Sequence, residues 1–227
     1  MSKAPKVVGY KEISFWQEDS IGVIAIFSGP DGLASMDFFE EFLKAVTLAI
    51  TDEKVKFLVI TGTDDIFFRG IRGVDYTNIK SYLELTSAIA SFLSTMVKPV
   101  ISIINGKAEN LGVELALLSD IIIARKDAEI VLSDNFEPIM GFSISALKYS
   151  FFKTGKAEEK SNCDLIMDGP EFLQKASEFI RKTGNPGLTL LRRNRLNSMR
   201  DAISIEREAF MLNSAYGITK EEGKEEQ

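Results

Sequence analysis

The sequence predicts an α/β fold, because segments typical of buried strands alternate along the chain with segments typical of amphipathic helices. Four runs rich in β-branched residues are the predicted strands: Ile21 to Phe27, Phe57 to Thr61, Val100 to Ile104 and Ile121 to Ala124. The last three are apolar without alternation, which is typical of strands covered on both faces. Beyond the polar stretch from Lys153 to Asn162 no convincing strand is found, and the C-terminal third is expected to be helical.

Helical periodicity accounts for the other segments. Met36 to Ile50 places five apolar residues on one stripe after Ser35 as the expected N-cap, and Tyr82 to Leu93 repeats the pattern. In the C-terminal third, Glu171 to Arg181 and Pro186 to Tyr216 carry apolar residues at helical spacing. The latter is too apolar for a lone surface helix, so a partner subunit is expected to cover it. The stripe of the first helix consists of Phe39, Phe42, Leu43, Val46 and Ile50.

Composition narrows the possible functions. A net charge of -6 argues against a general nucleic-acid surface, because binding phosphates requires clustered positive charge. Histidine is absent and Cys163 is the single cysteine, which excludes Cys/His zinc sites and Ser-His or Cys-His catalysis from this chain. No apolar run approaches the roughly 20 residues of a membrane span, and the first ten residues lack the apolar region of a signal peptide. We therefore expect a cytoplasmic protein.

The most informative segment runs from Asn105 to Asp120, where a buried strand leads through a turn into an apolar helix that carries Glu114. The first N–H groups of a helix have no intrahelical partner, so such a turn offers donors that can hold an oxyanion. Apolar neighbours exclude water from Glu114, and a carboxylate in dry surroundings has a raised pKa. The segment predicts a general acid or base beside an oxyanion site.

Four segments carry motifs in a fixed order. Val55 to Gly73 is similar to a strand followed by the loop F-x-A-G-A-D, and Lys98 to Asp120 to N-G-x-A-x-G-G-G-x-E-L-A-x-x-C-D. Ala128 to Asp134 is similar to A-x-F-x-x-P-E, and Glu206 to Ala215 to a C-terminal trimerisation helix. From about residue 10 to about residue 215, the chain thereby resembles the crotonase family of enoyl-CoA hydratases and isomerases.

This resemblance implies an architecture and an activity. Residues 1–150 would form a spiral of ββα units with an acyl-CoA site, 151–219 a C-terminal helical trimerisation region and 220–227 a disordered tail. The chain would assemble as a homotrimer or hexamer and act on acyl-CoA thioesters. Coenzyme A would enter as part of the substrate, and no other cofactor and no metal is expected.

Position by position, the resemblance also implies site residues. The N–H groups of Ile71 and Leu111 fall where the two oxyanion donors sit, and Glu114 and Asp134 fall where the two catalytic carboxylates sit. Adding water across a double bond conjugated to a thioester needs a stabilised enolate and a proton shuttle, for which two donors and two carboxylates suffice. Four further residues are expected to bind substrate: Arg69, Gly70, Arg72 and Gly112.

Departures from the motifs leave a second interpretation open. Asn110-Leu111-Gly112 stands where the family usually has three glycines, and a leucine side chain there would obstruct the thioester. The alternative is a non-catalytic assembly or acyl-CoA-binding subunit that kept the fold. Geometry distinguishes the two: carboxylates that meet at an open void favour chemistry, whereas a void filled by Leu111 or Arg72 favours the alternative.

Overall fold

The protein is described by a computed structural model over residues 8–27, 29–75, 77–133, 137–140, 155–157, 163–169, 171–183 and 201–211. Its strands within these ranges are β1 (Val8–Gly9), β2 (Ile13–Glu18), β3 (Ile21–Ile26), β4 (Leu33–Ala34), β5 (Phe57–Gly62), β6 (Ile66–Phe68), β7 (Gly70–Ile71), β8 (Val100–Ile104), β9 (Lys107–Glu109), β10 (Ile121–Arg125), β11 (Glu129–Val131), β12 (Gly155–Lys156) and β13 (Leu165–Met167). Its helices are α1 (Asp37–Thr51), α2 (Ile79–Thr95), α3 (Leu111–Leu117) and α4 (Phe172–Thr183), and residues 201–211 are also helical.

A seven-stranded sheet in the order β1-β2-β3-β5-β8-β10-β13 forms the centre. Strands β3, β5, β8, β10 and β13 run parallel, and β1 and β2 extend the sheet in antiparallel fashion. The four predicted strands are confirmed as β3, β5, β8 and β10. The expectation of no strand beyond residue 162 is wrong, because β13 pairs with β10 through Leu165 and Ile123. Three residues without a β-branched run are too short to give a strand pattern.

A smaller four-stranded sheet, in the order β12-β11-β9-β6, positions the segment that leads into α3. Ala108 on β9 pairs with Ile130 on β11, and Glu109 pairs with Val131. This register places Asn110, the residue before α3, beside the chain that leaves β11.

The main core lies between the two sheets and helices α1, α2 and α3. Phe38 on α1 stacks on Phe68 of β6 with ring centroids 4.7 Å apart. The predicted helix is confirmed as α1, but Ser35 is not its cap: its hydroxyl donates to Glu12 Oε1 at 2.7 Å. Ile50 of the predicted stripe is 38% exposed, because the helix turns Phe38 and Ala45 inward instead.

The opposite face of the main sheet packs against α4, which confirms the helix predicted from Glu171 to Arg181. Phe172, Ala176 and Ile180 lie against the isoleucines and valine that alternate on that face. Within Pro186 to Tyr216, residues 201–211 are helical; the rest of that segment and the tail at 220–227 lie outside the described residues. No helix in the described part of the chain has the length and apolar character to cross a membrane. The homotrimer or hexamer stays a prediction.

Candidate active site

Helix α3 starts from a residue with unusual backbone angles. Asn110, its N-cap, has φ 46° and ψ -106°, a region sparsely populated by residues other than glycine and tolerated best by asparagine and aspartate. Asn110 Oδ1 accepts hydrogen bonds from the N–H and the hydroxyl of Ser133 at 2.9 and 3.1 Å, and its own N–H donates to the Val131 carbonyl. Such strain, roughly 1–3 kcal/mol, persists only where the surroundings hold it. The chain around β11 therefore fixes where α3 begins.

Gly112 is retained for a steric reason. A Cβ at this position would lie 1.9 Å from the carbonyl oxygen of Phe68, so β6 and α3 could not keep their spacing. Leu111, which precedes it, is buried and lies in the wall of a cavity rather than filling it. Its N–H belongs to the first turn of α3, where no carbonyl of the helix is available to accept it.

Glu114 is the buried carboxylate of this site, only 2% exposed. Its Oε1 accepts hydrogen bonds from the N–H groups of Ile139 and Met140, both at 2.9 Å. Burial raises the pKa of Glu114 to about 8, the two N–H donors oppose the rise, and the charge of Glu206 adds to it. At neutral pH the protonated, neutral form predominates, as the dry surroundings of Glu114 predict.

The first predicted oxyanion loop is strand β7, which pairs in parallel with β4 through Gly70 and Leu33 and through Ile71 and Ala34. Gly70 has φ 150°, a conformation that side chains rarely adopt. The N–H of Arg72 donates to the Ala34 carbonyl at 2.9 Å. Successive N–H groups of an extended strand point to opposite sides, so the Ile71 N–H points away from β4.

These elements meet around one cavity of about 330 Å³. It brings together Ile71, Leu111 and Glu114, which lie far apart in the sequence, together with Arg69 and Gly70. Sequence reasoning missed several residues of its wall, and neither α2 nor the end of the chain gave a signal for them beyond helical spacing. The missed residues are Leu33, Tyr82, Asn110, Ser133, Glu137, Ile139 and Phe210.

The two arginines of the first loop, Arg69 and Arg72, bind different partners. Arg69 borders the cavity, and its Nε donates to Glu109 Oε2 at 2.7 Å while its guanidinium also reaches the Asp31 carbonyl. Arg72 is exposed and turns to the Asp31 carboxylate, 3.1 Å away, and to the carbonyl of Leu33. The Arg72 side chain therefore does not fill the void.

The remaining predicted site residues are separated from this group. Gly112 supports α3 from behind without bordering the cavity, and Arg72 does not border it either. Asp134, the second predicted carboxylate, lies outside the described residues.

The pKa of Tyr82 is raised by burial and by the charge of Glu114 across the cavity.

Solved structures place this arrangement in a fold class. The chain aligns with an enoyl-CoA hydratase from Mycobacterium avium subsp. paratuberculosis K-10 at a TM-score of 0.74 and 16% identity, over 88% of this chain and 92% of the other. It aligns with DspI of Pseudomonas aeruginosa at a TM-score of 0.73 and 18% identity, over 92% and 91%. The architecture is therefore the crotonase fold.

Sequence comparison then identifies the family. The model of the enoyl-CoA hydratase/isomerase family matches residues 20–143, more than half of the chain, so the chain belongs to that family. A probable enoyl-CoA hydratase of Bacillus subtilis (strain 168) is 25% identical over 228 residues, which cover 87% of this chain and 88% of the relative. A crotonyl-CoA hydratase of Syntrophomonas wolfei subsp. wolfei is 29% identical over 130 residues, 54% of this chain and 50% of the relative. The protein is a divergent enzyme of hydratase or isomerase type.

Proposed function

We propose that this enzyme adds water to, or moves the double bond of, an enoyl-CoA thioester, with Glu114 as the group that transfers the proton. The observation that carries the proposal is the open cavity that the buried carboxyl group of Glu114 borders together with Ile71 and Leu111. An acyl thioester is the substrate class whose carbonyl two N–H donors would polarise.

The proposed oxyanion site consists of the Ile71 and Leu111 N–H groups. Attack on an enoyl thioester pushes electrons onto the carbonyl oxygen, and donors aimed at that oxygen stabilise the enolate. One such donor contributes roughly 3 to 4 kcal/mol in known enzymes. Two contacts support this role for Leu111: Asn110 fixes the start of α3, and the close approach of Gly112 to Phe68 fixes the distance of α3 from β6.

Glu114 is proposed as the general acid for C2 of the substrate. Its two N–H donors both bind Oε1, so the proton of the neutral acid resides on Oε2. In hydration, the oxygen of water bonds to C3, the double-bond electrons form the enolate, and the enolate takes a proton at C2. A pKa near 8 suits an acid that must hold its proton at neutral pH and then release it.

A second carboxylate would take the proton from water. The family resemblance implies that Asp134 is a catalytic carboxylate, which makes it one candidate for this role, and Glu137, which borders the cavity, is another. Hydration requires such a base, whereas isomerisation can proceed on Asp134 or Glu114 alone, whose carboxylate form takes a proton from one carbon of the substrate and returns it to another. Asp134→Asn and Glu137→Gln are therefore the pair of variants that decides between the two carboxylates and between the two reactions.

The non-catalytic alternative predicted a filled void, and neither Leu111 nor Arg72 fills this one. A hydration assay on crotonyl-CoA, combined with calorimetric titration of the same ligand, separates the two functions. We expect binding and turnover in the parent, and binding with turnover lower by about 100- to 10,000-fold in Glu114→Gln. Binding with no turnover in the parent would leave an acyl-CoA-binding subunit, and no binding would refute the enzymatic proposal and leave a non-catalytic assembly subunit.

A further inference from the structure

A second buried glutamate lies in the helical segment 201–211. Glu206 is 6% exposed, whereas Glu208, two residues later, is exposed. Glutamate is almost never fully buried unless it interacts with other groups, because removing a carboxylate from water is costly, and Glu206 does have such an interaction. The contrast between two glutamates in one helical segment indicates that the burial of Glu206 is specific.

The neighbours of Glu206 show which way its side chain faces. Ile203 and Phe210 lie three residues before it and four residues after it, and such spacing places all three on one face of the helix. Ile203 belongs to the main core. Phe210 borders the cavity and lies against the ring of Tyr82, with centroids 6.4 Å apart. Glu206 therefore faces the interior between the core and the cavity that holds Glu114.

The charge of Glu206 acts on Glu114. Burial is the largest cause that raises the pKa of Glu114, and the negative charge of Glu206 acts in the same direction. Three other titratable or charged groups face the same cavity: Tyr82 from α2, Glu137 from the segment after β11, and Arg69 from the first loop. Arg69 is engaged by Glu109, at 2.7 Å from its Nε.

We propose that Glu206, buried on the helix face that carries Phe210 into the cavity wall, is a positioning residue of this active site whose negative charge acts on the Glu114 carboxyl and favours its acid form. The role attributed to the acid rests on the proposed function; the electrostatic coupling between the two glutamates does not. The helical segment 201–211 thereby adds to the proton affinity that burial gives Glu114 on α3.

The test titrates Glu114 directly. Protein carrying glutamate labelled with carbon-13 at the side-chain carboxyl is followed by NMR across pH, and the Glu114 resonance is assigned by its loss in Glu114→Gln. We expect Glu206→Gln to move the Glu114 midpoint to lower pH. Glu208→Gln, which removes the same charge from an exposed site on the same segment, should leave the midpoint in place.

Two further variants separate charge from packing. Glu206→Asp retains the charge and should keep the Glu114 midpoint close to that of the parent. Glu206→Met, apolar and of similar length, should move the midpoint as Glu206→Gln does, and circular dichroism establishes that each variant is folded. An unmoved midpoint in the neutral variants, or an equal displacement in Glu208→Gln or Glu206→Asp, would overturn the proposal.

The pH profile of crotonyl-CoA hydration then connects the coupling to catalysis. Activity that needs protonated Glu114 declines as pH rises through its pKa, so the alkaline limb in Glu206→Gln should lie at lower pH than in the parent. An alkaline limb that stays in place while the midpoint moves would overturn the role of Glu206 in the reaction. If the midpoint moves but no protein hydrates the substrate, the coupling stands and the proposed function fails.

Discussion

Replacing Glu114 with glutamine should remove a pH dependence of stability that the parent protein shows. Folding raises the pKa of this carboxyl from its ordinary 4.5 to about 8, because the site is dry. The folded state therefore binds the proton more tightly than the unfolded state. Between these two pKa values the contribution of Glu114 to the free energy of unfolding falls as pH rises. The favourable contribution is complete below about pH 4.5 and is lost by the time the pH has passed about 8.

The size of the effect follows from the size of the shift. One pKa unit corresponds to about 1.4 kcal/mol, so the span from 4.5 to about 8 gives a loss on the order of 5 kcal/mol. Glutamine keeps an oxygen that can accept the N–H groups of Ile139 and Met140 but carries no charge. Between pH 5 and pH 9, the free energy of unfolding of Glu114→Gln should therefore fall by less than that of the parent.

Urea unfolding of the parent and Glu114→Gln across pH 5 to 9 measures this difference. Titrating groups remote from the site affect both proteins equally, so the difference between the two curves reports Glu114 and the groups coupled to it. Glu208→Gln is the matched control, because it changes an exposed glutamate and should parallel the parent. Parallel curves for the parent and Glu114→Gln would refute the reasoning, since they would mean that Glu114 has an ordinary pKa in the folded protein.

Three further predictions concern stability, each measured by urea unfolding. Gly112→Ala should lose free energy at the upper end of the roughly 1–3 kcal/mol typical of overpacking, because the new Cβ meets the Phe68 carbonyl at 1.9 Å; parent-like stability would contradict this contact. Asn110→Ala should lose about 2–3 kcal/mol through its bonds to Ser133 and its positive φ, and a neutral result would mean that the turn is unstrained. Lys98→Met should lose about 1–3 kcal/mol, because its ammonium donates to two carbonyls at the end of α1; an unchanged midpoint would count against that role.

The main sheet was predictable because its central strands are buried on both faces. Val100 to Ile104 and Ile121 to Ala124 consist mostly of β-branched residues, and such runs are typical of strands covered on both faces. The short strands β6, β7, β9 and β13 were not predicted, because two or three residues carry no measurable period. They form only where neighbouring chain supplies a partner, and pairing across the sheet is not visible in a local sequence window.

The residues of the candidate site also differ in whether the local sequence could predict them. Glu114 was predictable as a dry carboxylate because its neighbours on α3 are themselves apolar. Tyr82, Phe210 and Glu206 were not, because each looks like an ordinary member of a helical pattern until the packing of α2 and the segment 201–211 brings them to one place. Asn110 stands where the family usually has a glycine, and its backbone angles explain why asparagine can replace it. Asparagine tolerates the positive φ that a glycine would otherwise provide.

The central claim is that Glu114 delivers a proton to carbon in an acyl-CoA substrate, and incorporation of solvent deuterium tests it most directly. Crotonyl-CoA is incubated with the enzyme in deuterated water, and deuterium at C2 of the 3-hydroxybutyryl product is followed by mass spectrometry. The account predicts one deuterium per turnover in the parent, and a rate lower by about 100- to 10,000-fold in Glu114→Gln but unchanged in Glu208→Gln. Incorporation at the parent rate in Glu114→Gln would contradict it, because another group would then be the acid.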